Sequence, residues 1–128
     1  MKQIQPPHST YNATNTVFLA GSIEMGKAID WQNQIMEKCK DLDVTFLNPR
    51  RDDWDNSWEQ KITNPNFREQ VEWELSALED SDKIVFFFDP NTTSPITLLE
   101  LGLFSGSVIC VCCMFLLRLP SFDFKFKF

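Results

Sequence analysis

Five consecutive apolar residues, IVFFF at 84–88, constrain this chain more than any other feature. Side chains of a strand alternate between two faces, so such a run leaves no face for water. It suits a central parallel strand covered by helices on both sides. The rest of the chain supplies matching parts. VFLA (17–20) runs into Gly21 and reads as a buried strand. VTFL (44–47), stopped by Asn48-Pro49, is another, and VICVCC (108–113) is a fourth. Between them, Ala28, Trp31, Ile35, Cys39 and Leu42 recur at helical steps. A second helix is predicted over about 67–78, with Phe67, Val71, Leu75 and Leu78 as its apolar stripe. Ser94-Pro95 reads as an N-cap followed by proline at the first helical position, opening a helix to about 104. This alternation implies right-handed crossovers. The predicted fold is α/β, a three-layer flavodoxin-like sandwich with a parallel sheet. Counting VFLA as the first strand, the order is 2-1-3-4, with any fifth strand supplied by the tail.

The 128 residues suit one domain, placed at 16–113 between a flexible leader (1–15) and an irregular tail (114–128). The tail, MFLLRLPSFDFKFKF, has no helical period and alternates Phe with charge at its end. It reads either as an edge strand or as a truncated or mis-spliced terminus. A net charge of -6 without a basic stripe argues against a polymeric nucleic acid as partner. The longest apolar run, 108–117, is too short to span a bilayer, and the polar N-terminus has no signal core. Cys39, Cys110, Cys112 and Cys113 form no CxxC pair and have no nearby His, so they read as reduced thiols of a cytoplasmic protein with no metal.

In an open parallel sheet, ligands bind beyond the carboxyl ends of the strands. Gly21-Ser22, the stretch from Asn48 to Asp53, and Asp89-Pro90-Asn91 all fall there. Two carboxylates stand out. Glu100 is the one ionisable residue of PITLLELGLF, and Glu74 lies within the stripe of its helix instead of opposite it. A carboxylate on an apolar face is solvated, paired or functional. Two of them on helices flanking one strand favour a site. The Trp-bearing loop after the VTFL strand reads either as a lid over the site, with Asp52, Asp53, Trp54 and Trp58 meeting a planar ring, or as a solvated loop whose Trp residues pack on the domain.

FLAGSIEMGK, NPRRDD, QVEWEL, DSDKIVFFFDP and SPITLLELGL together resemble the nucleoside 2-deoxyribosyltransferase family, in its 2-deoxyribosyltransferase-like branch, over about 16–113. The resemblance implies that Glu100, in E-L-G, is the nucleophile. It matches Asp82, eighteen positions earlier, to the Asp that opens the preceding strand, and Glu74, eight before that, to an acidic residue lining the site. Family members often carry a strand Tyr where this chain has Val17 and Phe18, and an acidic residue where it has Ser94; Asp89 is the candidate substitute. GSIEMGK is also similar to a phosphate-receiving loop of the related deoxynucleoside 5′-monophosphate N-hydrolases, with Lys27 in place of Arg and Gly21 and Ser22 at its start. The implied activity is cleavage of the N-glycosidic bond of a 2′-deoxynucleoside through a Glu nucleophile, with transfer of the sugar to another base and no cofactor. Glu74 or Asp89 would act as acid. The alternatives are the N-hydrolase and a non-catalytic nucleotide-binding module. The expected partners are a small deoxynucleoside or deoxynucleotide and, as an open possibility, a second copy of the chain.

Overall fold

The computed structural model describes residues 1–23, 28–55 and 57–106, and the backbone of 110–113. The elements run β1 (Lys2–Ile4), β2 (Thr16–Gly21), α1 (Trp31–Lys38), β3 (Thr45–Leu47), α2 (Pro65–Asp80), β4 (Lys83–Phe88), α3 (Pro95–Phe104) and β5 (Cys110–Cys113). They build one parallel sheet in the order β1-β3-β2-β4-β5. Its last four strands have the predicted order, with the apolar β4 inside the sheet between β2 and β5.

The alternation of strand side chains divides the core into two layers. Val17, Leu19, Phe46, Val85 and Phe87 pack with Trp31, Ile35 and Met36 of α1. Phe18, Ala20, Leu47, Ile84 and Phe86 pack with Trp73, Ala77 and Leu78 of α2, and with Leu101 and Phe104 of α3. The sheet is therefore covered on both faces, as IVFFF requires.

Two expectations are corrected. Residues 1–15 are not simply a flexible leader. Lys2–Ile4 adds an edge strand beside β3, Asn48 N–H donates to Ile4 O (2.9 Å), and Trp73 Nε1 donates to His8 O (2.8 Å). Short polar strands carry little periodic signal, and backbone hydrogen bonds decide their place. The fifth strand thus comes from the N-terminus; the tail lies outside the described residues. The stripe of α2 is also displaced. Gln70, Trp73, Ala77 and Leu78 are buried, whereas Leu75 is 45% exposed. Glu74 sits inside this inward stripe, flanked one turn away by Gln70 and Leu78.

α3 is apolar nearly all round, so only part of it can meet the sheet. Thr97 is buried, while Ile96, Leu98, Leu99 and Leu103 are exposed.

Candidate active site

The carboxyl ends of β2 and β4 are stitched together at Gly21 and Ser22. Ser22 N–H donates to Phe87 O (3.1 Å), and Asp89 N–H donates to Ser22 Oγ (3.0 Å). Trp31 stacks on Phe87 with ring centroids 4.9 Å apart and donates its Nε1–H to Ser22 O (3.1 Å). Gly21 is the residue this packing demands. A Cβ there would lie 2.5 Å from Phe87 O and 2.7 Å from Trp31 Cζ2.

Three hydroxyls gather beside this stitch. Ser22 Oγ and Ser94 Oγ are 2.5 Å apart, and Thr92 Oγ1 lies 2.9 Å from the first and 2.8 Å from the second. Ser94 precedes α3 as predicted, but its side chain makes no cap hydrogen bond to the helix. Its hydroxyl joins the cluster, and its backbone is left-handed, with φ 42°. Asp89 is buried, and its Oδ1 accepts from Asn91 N–H (2.9 Å) and Asn91 Nδ2 (3.0 Å), which shapes the turn into α3.

The two glutamates approach from α2 and α3. Burial pushes Glu74 up to about 7, against the opposing effect of a hydrogen bond from Gln70. Burial and the charge of Glu74 push Glu100 up to about 8. Both carboxyls are thus raised toward neutrality by burial, and Glu100 further by the nearby charge of Glu74. Glu74 is fixed by Gln70, whose Nε2 donates to Glu74 Oε1 (2.6 Å) and to Pro49 O (2.8 Å).

Asp82 lies at the other end of the molecule from Asp89. It precedes β4, and the six residues of that strand span about 20 Å. There its Oδ2 accepts from Thr16 N–H (2.7 Å) and Thr16 Oγ1 (3.0 Å), while Asp82 N–H donates to Thr16 Oγ1 (2.9 Å). These bonds hold its carboxyl below the usual range. The resemblance implies a substrate-binding role for Asp82, and in the structure it clamps the amino ends of β2 and β4. Constant spacing along a chain does not put a residue at the end of the sheet where ligands bind.

The loop after β3 carries Asp52 and Asp53, both exposed. Arg51 is the loop's anchor, with its side chain only 6% exposed. It makes a two-pronged bond to Asp53 (2.8 and 2.9 Å), reaches Glu69 on α2 (3.1 Å), and lies 5.4 Å over the Trp58 ring. Trp54 meets Trp58 edge-on at 5.2 Å, and its buried Nε1 has no partner among the described residues. Lys27 lies outside the described residues.

The comparison with known families decides the assignment. The family model described as nucleoside 2-deoxyribosyltransferase like matches residues 14–115. The chain belongs to this nucleoside 2-deoxyribosyltransferase-like family. A search of curated proteins found no match.

Among the described residues no group of three or more His, Cys, Asp or Glu is placed to hold a metal ion. None of their helices is long and apolar enough to cross a membrane. Sequence reasoning missed Gln70, Thr16, Thr92 and Arg51. Gln70 was findable, because it lies one helical turn before Glu74 on the same face. Arg51 passed for one more charge in a polar loop, since burial of its side chain depends on Trp58 and α2.

Proposed function

We propose that this member of the family cleaves the N-glycosidic bond of 2′-deoxynucleosides and passes the deoxyribosyl group to a second base. The observation that carries this reading is the Glu74–Glu100 pair, two carboxylates on inward helix faces, both raised toward neutrality by burial. One ionised and one protonated carboxylate is the requirement of a retaining displacement. The ionised group attacks C1′ as the C1′–N bond breaks, giving a sugar ester. The protonated group hands its proton to the departing base. An incoming base then attacks C1′, the ester bond breaks to release the carboxylate, and the base's proton returns to the acid. Water in place of the second base gives the hydrolase reaction.

The E-L-G match supports Glu100 as nucleophile. Its greater hold on the proton in the unliganded chain supports a second assignment, with Glu74 as nucleophile and Glu100 as acid. Under the first assignment, the positive charge developing at C1′ draws the proton from Glu100 to Glu74. The test is to incubate the chain with 2′-deoxynucleosides, trap the intermediate with a slow 2′-fluoro analogue, and map the modified peptide. A sugar on the peptide bearing Glu100 supports the first assignment, and one on Glu74 supports the second. No released base from any deoxynucleoside or deoxynucleoside monophosphate defeats the enzymatic reading.

A further inference from the structure

Gln70 is buried, yet its amide is only half satisfied. Nε2 spends both hydrogens, one on Pro49 O at 2.8 Å and one on Glu74 Oε1 at 2.6 Å, while Oε1 is buried with no partner among the described residues. An amide in such a place would ordinarily turn over to satisfy its oxygen. Here it cannot, because turning would set Oε1 against the Pro49 carbonyl, which has no hydrogen to give. The carbonyl therefore fixes the orientation, and the fixed orientation keeps a donor aimed at Glu74. The loop that supplies the carbonyl is itself held, since Gln5 Nε2 donates to Arg50 O (2.6 Å).

We infer that Gln70 is the positioning residue of the carboxylate pair: locked by Pro49 O, its amide holds the Glu74 carboxylate in one orientation and favours its charged form. This rests on the reading of Glu74 and Glu100 as the reacting pair. The charged group of another element that Glu74 influences is Glu100 on α3, and the hydrogen bond from Gln70 opposes the burial that raises Glu74. The consequence is a division of labour in which Glu74 gives up its proton before Glu100 does.

Carboxyl-carbon NMR of protein labelled at glutamate tests this. Wild type is titrated beside Gln70→Met, which keeps length without a donor, and Gln70→Asn, which keeps the donor but shortens its reach; Glu74→Gln identifies the Glu74 signal. The expected result is an upward movement of the Glu74 midpoint by about one pH unit in each folded variant. Any pH–rate profile should move its limb by the same amount. In wild type, the Gln70 side-chain amide nitrogen should shift with the Glu74 midpoint, a measurement that needs no variant to fold. A Glu74 midpoint unmoved in a folded variant, or a Gln70 amide blind to Glu74 in wild type, overturns the inference. An inactive wild type defeats the glycosidic reading and leaves these titrations decisive for Gln70.

Discussion

Glu74 on α2 acts on Glu100 on α3: its charge, added to burial, raises the Glu100 carboxyl to about 8 while Glu74 itself sits at about 7. A raised carboxyl pKa means the folded chain binds protons that the unfolded chain has released. Both groups are protonated in either state below about 4.5, so they cost nothing there. As pH rises from about 4.5 towards 7 and 8 the folded state loses stability, and the loss is complete above about 8. Each group is half-buried, so solvent trims the effect to about 1–3 kcal/mol apiece. Urea melts of wild type and of the Glu74→Gln, Glu100→Gln double variant, from acid to alkaline pH, isolate this contribution. The gap in favour of the variant should widen with pH; a constant gap would contradict the raised values.

Asp82 makes the opposite prediction. Its lowered carboxyl contributes stability that is present above its unfolded value and lost as pH falls through the folded one. The group is exposed, so Asp82→Ala should cost only about 1 kcal/mol at neutral pH. Because it clamps Thr16 at the amino end of the sheet, base release per folded molecule should be unchanged. A large fall in turnover with an unchanged melt would return Asp82 to the site.

These two acids show what the sequence could and could not disclose. IVFFF announced a doubly covered central strand, and both layers of the core follow from that. Glu74 was legible as a carboxylate on an inward face, although the stripe through Leu75 was misplaced and Gln70, not an apolar residue, occupies the preceding turn. Asp82 was not legible. Its partner, Thr16, is 66 residues away in sequence, and only the parallel register of β2 with β4 brings them together. The β1 strand escaped for the same reason. Three polar-flanked residues find their place through main-chain bonds to β3 that no side-chain pattern announces.

Ser94 combines a left-handed backbone with a hydroxyl engaged by Ser22 and Thr92. Two substitutions separate these. Ser94→Ala loses the hydroxyl and keeps the strained φ, whereas Ser94→Gly loses the hydroxyl and relieves the strain. Gly should therefore be the more stable of the two by about 1 kcal/mol. Equal thermal melts would show that the backbone at this position stores no strain.

Trp54 and Trp58 should differ sharply. Trp54→Phe removes a buried N–H with no partner among the described residues, so stability should hold or rise by up to about 1 kcal/mol. Trp58→Leu removes the ring beneath Arg51 and should loosen the loop, at a cost of about 1–2 kcal/mol. If the loop covers a bound base, quenching of Trp fluorescence by a deoxynucleoside should disappear when both residues are Phe. Quenching that survives the double change would place the ligand elsewhere.

Glu100→Ala gives the most informative single measurement, because its two readouts move independently. A carboxylate whose pKa is raised by burial and by a like charge destabilises the folded state when ionised, so its removal should leave melting at neutral pH unchanged or higher. A structural Glu paired with a buried cation would behave the other way, stranding its partner at about 3–5 kcal/mol. If Glu100 is the nucleophile, loss of its carboxylate should cut base release by about 10³-fold or more. Azide, a small nucleophile that fits the vacated volume, should then restore release and give a deoxyribosyl azide of inverted configuration at C1′, since one displacement replaces two. The same rescue in Glu74→Ala, with none in Glu100→Ala, would exchange the roles of the pair. Full activity in Glu100→Ala would remove Glu100 from the chemistry altogether.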